Sequence, residues 1–287
     1  MKNILQKSLL ALSLAGLFAS TAFSQGRFND VEIKAQAVGG SVHMLVGAGG
    51  NIAVSAGPDG LLIVDDQYAD LAEKIAVSLA DISKEQTRYV INTHFHGDHT
   101  GSNAFFSQHK HATIFAHENV RVRLSAGEET DSAMLPVVTY EKGVKFHLNG
   151  DTIHVFHLAN GHTDGDSAVW FEQPDILHTG DLFFKDWFPF IDLNSGGSVV
   201  GYIAAVETLL AMTDNDTKII PGHGALANKS DYVRFLDMIK TTYAYVQGKK
   251  AGGMREDDLV DAGLEEKWKN WSWNFITEEK WIKTLYK

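Results

Sequence analysis

The chain has 287 residues, 36 acidic side chains against 25 Lys and Arg, a formal charge of −11 and no cysteine. An acidic chain without a basic run is a poor nucleic-acid binder, because neutralising phosphates needs clustered Lys or Arg. Without thiols, disulfides, thiolate metal sites and a lipid-modified cysteine anchor are all excluded.

Residues 1–24 read as a signal peptide. Lys2 and Lys7 give a positive start, Ser8 to Phe23 is mostly apolar, and Ala22-Phe23-Ser24 has the small-x-small form of a cleavage site. The run is shorter than the ~20 apolar residues of a membrane span, although a retained anchor would read similarly. Cleavage near Ser24 predicts a periplasmic or secreted chain, free of the membrane afterwards. It leaves 263 residues at a charge of −13, since Lys2 and Lys7 depart and no acid does. That suffices for one large domain, residues 25–287.

Strand signals in this domain are β-branched runs punctuated by turns. Residues 51–55 and 61–65 flank Gly57-Pro58-Asp59-Gly60 as a hairpin, after Ala48-Gly49-Gly50, which reads as a cleft rim or a plain turn. A helical pattern over 71–82 precedes a strand at 87–92, which ends at His94-Phe95-His96-Gly97-Asp98-His99. Residues 101–108 are again helical. Residues 144–148 and 152–158 flank Asn149-Gly150, the strongest two-residue hairpin signal, and the second strand ends just before His162. Residues 168–171 and 176–179 form another pair, which ends at Gly180-Asp181. A helix at 199–212 leads to a strand at 218–220 and Pro221-Gly222-His223-Gly224, then to a helix at 232–247. In 255–287, Trp268, Trp271, Trp273 and Trp281 read as packing anchors of a terminal helix; a share in a cleft wall or a dimer contact is the alternative.

Strand pairs alternating with helices predict an α/β sandwich, with one sheet in residues 35–145 and another in 146–230, helices outside and a cleft between the halves. Ligand-type residues follow four separate strands, so they can converge at one edge. Three imidazoles and a carboxylate within six residues have no packing rationale. Imidazole and carboxylate suit a borderline cation such as zinc, and seven ligands suit two ions sharing a bridge. The expected site has His94, His96 and His162 on one zinc, Asp98, His99 and His223 on the other, and Asp181 bridging, with Gly97 permitting the turn between the two halves of the cluster. A bridging hydroxide would then attack a carbonyl, and Asp98 could orient it. His43, His109, His111, His117, His147, His154, His157 and His178 lack such context and read as surface or packing residues.

On these motifs the chain resembles the metallo-β-lactamase superfamily over residues 35–230. The resemblance implies an αββα sandwich and a metal motif on His94, His96, Asp98, His99, His162, Asp181 and His223. It also implies that Asp65, in Leu62-Ile63-Val64-Asp65-Asp66, steadies the histidine loop by hydrogen bonding, with Asp164 as a weaker candidate for such a part. The best-known β-lactamase subclass has cysteine where this chain has Asp181. The single-zinc subclass has asparagine at the position of His94, and a third subclass carries serine at that of Asp181. An aspartate bridge is instead the pattern of glyoxalase II and the superfamily's lactonases. Glutamate at the position of His96 would mark the flavodiiron oxidoreductases, and this chain lacks it.

The expectation is therefore an exported dinuclear zinc hydrolase of small molecules with modest β-lactamase-like activity. The alternatives are a lactone, ester, sulfate ester or phosphate ester hydrolase, a non-enzymatic zinc-binding protein, and an iron-dependent oxygen or persulfide enzyme. Lys185 and Asn194 lie on loops where they could meet a substrate carboxylate or carbonyl. The sequence leaves the oligomeric state open.

Overall fold

The computed structural model describes residues 24–127 and 130–287. The signal segment expected at 1–24 lies outside these, apart from Ser24.

Two sheets face each other. The first is seven-stranded, in the spatial order β1 (Lys34–Gly39), β2 (Val42–Val46), β3 (Ile52–Gly57), β4 (Gly60–Val64), β5 (Thr87–Asn92), β6 (Thr113–His117), β7 (Val138–Tyr140). The second has six strands: β8 (Gly143–Leu148), β9 (Asp151–His157), β10 (Ser167–Phe171), β11 (Ile176–His178), β12 (Lys218–Ile220) and β13 (Ala227–Asn228), in the order β13-β12-β11-β10-β9-β8. Hairpins join β1 to β4 antiparallel. β4, β5, β6 and β7 run parallel, as do β11 and β12. Parallel neighbours need a crossover, which the helices Ala72–Ile82, Asn103–Lys110, Glu118–Ser125 and Val199–Met212 supply.

β4 shows why the layers form. All five of its residues are buried, as in a strand covered on both faces. With the period of two, Leu62 and Val64 point inward to meet Ile153, Val155 and Val169 of the second sheet. Leu61 and Ile63 point outward against Leu71, Ile75, Leu79 and Phe106. On the far side, Leu177 and Ile219 pack under Tyr202, Leu209, Phe235 and Trp281. The result is the expected αββα sandwich. The first sheet covers 34–140 and the second 143–228, close to the halves read from sequence.

The last 32 residues do not form one terminal helix. They break into helices at Glu256–Ala262 and Glu278–Tyr286, with a 3₁₀ turn at Glu266–Trp271 between them. Trp268, Trp271 and Trp281 are buried in the core, as expected of packing anchors, but Trp273 is not.

Candidate metal centre

Parallel pairing puts the C-terminal ends of β4 and β5 at one edge and those of β11 and β12 at the facing edge. Cross-links tie the two edges together: Ser167 N–H donates to Thr93 O at 2.8 Å, and Asn51 Nδ2 donates to Pro221 O and Gly224 O at 2.8 and 2.9 Å. The seven ligand-type side chains converge here in two groups. His94, His96, His162 and Asp181 form one, and Asp98, His99 and His223 the other; within each group the facing atoms all lie within 4.8 Å of one another.

Local geometry explains the split. His94 and His96 follow β5, and His96, in extended backbone, caps a helical turn, Gly97–Thr100, which swings Asp98 and His99 to the second group. Gly97 is not needed for that turn, contrary to expectation, because it has no positive φ. It lines the cleft, with open space where a Cβ would point.

Asp181 joins the groups. Its Oδ2 lies 3.4 Å from His162 Nε2 and 3.7 Å from His94 Nε2, while Oδ1 lies 3.1 Å from His99 Nε2 and 3.3 Å from His223 Nε2. Tetrahedral coordination with ~2.0–2.1 Å bonds would set ligand atoms ~3.3 Å apart, so these spacings fit a cation at each end of the carboxylate. His94 Nε2 is buried without a hydrogen-bond partner among the described residues, and Asp181 Oδ1 receives no well-directed hydrogen bond. Burial is costly for such atoms unless something else is bound.

The electrostatics agree. Burial holds His94 well below the usual histidine range and His162 at about 4, so both rings are neutral and can act as ligands. Burial also works against charge on Asp181, but the imidazoles of His99, His223 and His94 overcome it and hold the carboxyl well below its usual range. His99 is buried too, yet Asp181, Asp65 and Asp98 lift it well above the ordinary value, so its ring holds a proton that a cation attracted by the same carboxylates would displace.

Outer partners fix the rings. Asp65 accepts from Thr93 N at 2.7 Å and Thr93 Oγ1 at 2.8 Å, and its Oδ2 lies 2.7 Å from His99 Nδ1. It does so from a left-handed backbone with φ of 65°, a strained conformation for a non-glycine residue. Thr93 Oγ1 also meets His94 Nδ1 at 3.0 Å, and Phe190 O takes His162 Nδ1 at 2.8 Å. Gly50 packs on the His99 ring so closely that a Cβ would strike it.

Three sequence-derived candidates sit elsewhere. Asp164 touches none of the seven residues; it forms a two-pronged ion pair with Arg123 at 2.6 and 2.7 Å. Lys185 turns away from the cleft to Asp231 at 3.0 Å and Leu226 O at 3.1 Å. Asn194 is exposed, and what engages the site is its neighbour Asp192. Sequence reading missed Asp192, which lies 3.2 Å from His96 Nε2, and also Asp166, which clamps the backbone N–H and hydroxyl of Thr163 beside His162. The acidic run Asp164-Gly165-Asp166 is the available signal, and its second aspartate, not its first, supports the His162 loop. His109 and His111 stand apart from the site; His111 ends the Asn103–Lys110 helix in left-handed backbone.

The centre opens into a cavity of about 500 Å³ lined by Tyr68, Phe184, Phe190, Trp273 and Phe275, with Arg27 and Gly49 also on its wall.

A profile of the metallo-β-lactamase superfamily matches residues 42–223, more than half of the chain. The chain belongs to the metallo-β-lactamase superfamily. It is 27% identical over 187 residues to a metallo-β-lactamase type 2 from Bacillus sp. (strain 170), covering 63% of this chain and 69% of that one. It is 29% identical over 154 residues to a hydroxyacylglutathione hydrolase from Polaromonas sp., covering 53% and 54%. Among solved structures, a metallo-β-lactamase from Pontibacter korlensis superposes with a TM-score of 0.63 at 16% identity, covering 73% of this chain and 99% of that one. That likeness establishes the αββα fold. The chain is thus a metallo-hydrolase of this superfamily, which implies a small-molecule substrate.

Proposed function

We propose that this metallo-hydrolase is a dinuclear zinc enzyme that cleaves an activated carbonyl, with β-lactam ring opening as its leading activity. The observation that carries the reading is Asp181, which turns one carboxylate oxygen to each ligand group. His94, His96 and His162 would hold one ion, and Asp98, His99 and His223 the other. Bound zinc would bring a coordinated water's pKa toward neutrality and polarise the substrate carbonyl. Asp98 belongs to a ligand group and also lines the cleft, so its carboxylate can orient the attacking water. Neutral His94 and His162 keep their lone pairs available for ligation.

The similarity to the Bacillus enzyme supports β-lactams. A second reading, lactone or ester hydrolysis, is favoured by Asp181 itself. A bridging carboxylate adds negative charge where a serine-bearing site carries a neutral side chain, and so weakens the pull on a departing nitrogen. The signal-like segment at 1–24 supports action outside the cytoplasm. The deciding experiment combines metal analysis with turnover of nitrocefin, a carbapenem, a lactone, a thioester and an aryl phosphate. The expected result is close to two zinc ions per chain and modest nitrocefin hydrolysis, abolished by a chelator and restored by zinc. A single bound ion under excess zinc would overturn the dinuclear reading. Untouched β-lactams with brisk lactone or thioester cleavage would establish the second.

A further inference from the structure

Part of the cleft wall facing the metal centre comes from a segment outside the residues matched by the family profile. Trp273 and Phe275 lie on the strap between the Glu266–Trp271 turn and the Glu278–Tyr286 helix, and both line the cavity. The strap is held firmly. Trp273 Nε1 donates to Phe188 O at 2.9 Å, its backbone N–H donates to Ile276 O at 3.1 Å, and its ring stacks on Trp187 at 5.2 Å. Phe275 is edge-on to Phe190 at 5.2 Å, and Phe190 in turn lies 5.6 Å from both His96 and His162. Lys280, which does not line the cavity, donates to Phe275 O at 2.8 Å with its ammonium 5.2 Å from the ring. Phe275 nevertheless remains 48% exposed. A pinned, exposed ring within one aromatic layer of two ligand histidines is a ready stacking surface.

Positive charge on the wall is sparse. Arg27 is the one Lys or Arg among the described residues that line the cavity, and its guanidinium sits 5.5 Å from the Tyr68 ring. A planar guanidinium held on an aromatic face is suited to a carboxylate. Tyr68 in turn abuts Gly49, where a Cβ would come 3.2 Å from its ring and 2.9 Å from Asp98.

We propose that the cleft selects a substrate with two recognition groups: an aromatic ring received by Trp273, Phe275 and Phe190, and a carboxylate met by Arg27. The proposal rests on the hydrolase reading for the identity of the reacting carbonyl, but its test does not need turnover. Calorimetric binding of 4-phenylbutyrate, butyrate and 4-phenylbutan-1-ol to the zinc-loaded protein separates the two groups. Phenylbutyrate should bind about tenfold tighter than butyrate, the scale of one aromatic stacking contact with its buried area. Phe275→Ala should reduce that ratio to about twofold. Arg27→Ala should bring phenylbutyrate to the level of phenylbutanol while leaving the phenylbutyrate-to-butyrate ratio in place. Zinc content measured on each variant separates these effects from metal loss. Equal binding of butyrate and phenylbutyrate would overturn the aromatic site. An Arg27→Ala protein that still prefers the carboxylate over the alcohol would overturn the anion site, since zinc would then be the anchor. Binding as expected without turnover of any carbonyl substrate would leave this inference standing and sink the carbonyl-cleaving reading.

Discussion

The carboxylate of Asp192 lies 3.2 Å from Nε2 of His96, so the other ring nitrogen, Nδ1, faces the ligand group, 2.9 Å from His162 Nε2. A ligand imidazole needs its second nitrogen engaged if the ring is to keep one orientation. Asp192 therefore sets how His96 is presented, although 96 residues separate them in sequence.

Replacing Asp192 with Ala should weaken zinc binding about 10–100-fold, the usual cost of losing an outer partner of a ligand histidine. Competition with a chromophoric chelator measures it. Asp192 also accepts from the backbone of Asn194 and Ser195 at 3.1 and 3.2 Å. Asp192→Asn keeps an acceptor for that loop and so separates ligand orientation from loop folding. Unchanged zinc affinity in both variants would show that His96 does not depend on this contact.

Two glycines should respond in opposite ways to the same added methyl group. At Gly222 a Cβ would strike Asp181 Oδ1 and come within 2.6 Å of the Gly180 carbonyl. Gly222→Ala should therefore push Asp181 off the centre and cost more than tenfold in zinc affinity, with the fold retained by circular dichroism. At Gly97 nothing lies within 4 Å. Gly97→Ala should keep its zinc and alter only KM. Equal metal loss in both variants would contradict the steric account.

The ligands were legible because the chemistry is local. Histidine and aspartate crowd one loop, and the later ligands each follow a recognisable strand. β3, β4, β8, β9 and β10 were legible because β-branched runs meet strong turns such as Asn149-Gly150. β1 was not, since Lys34-Ala35-Gln36-Ala37 is exposed throughout and shows no alternation. β6 and β7 are short parallel strands paired along one side of the sheet, a placement no local pattern encodes. The partners of Lys185, Asp164 and Asp192 are all remote in sequence, 46, 41 and 96 residues away. Sequence gives such residues their chemistry but not their direction. Trp273 was legible as an aromatic in a packing segment, but not as the member that faces the cleft.

A pH effect is expected away from the metal centre. The rings of His117 and His157 stack 3.7 Å apart at 13°. Burial lowers both below the ordinary histidine value, and for His117 the neighbouring His157 adds to the effect. In the window between the depressed folded values and the unfolded value near 6.5, the unfolded chain binds more protons than the folded one. Stability should therefore rise with pH through that window and level off above about 6.5. His117→Gln should flatten the profile on the acid side relative to wild type in denaturant titrations at fixed free zinc. Parallel profiles would show that the stacked pair carries no such penalty.

The C-terminal tail should act on stability and recognition through different residues. Trp281 is fully buried, stacks on Phe188 at 5.7 Å and donates Nε1–H to Thr242 Oγ1 at 3.1 Å. Trp281→Ala removes a large buried ring and strips the hydroxyl of its donor, so it should cost about 3–5 kcal/mol. In a domain of this size that corresponds to a fall in Tm of roughly 10 °C. Phe275 is half exposed and packs against Phe190 and Trp273 of the cleft wall and against Lys280. Phe275→Ala should therefore leave Tm within about 2 °C of wild type, as surface substitutions usually do. Phe188 connects the two roles, because its ring supports Trp281 while its carbonyl holds Trp273. Trp281→Ala should accordingly loosen the strap and weaken aromatic ligand binding as well, at temperatures where the protein is still folded. Differential scanning calorimetry beside phenylbutyrate titrations of both variants measures the two effects. A Trp281→Ala protein with lowered Tm but undiminished aromatic binding would show that the strap is held without the tail's core.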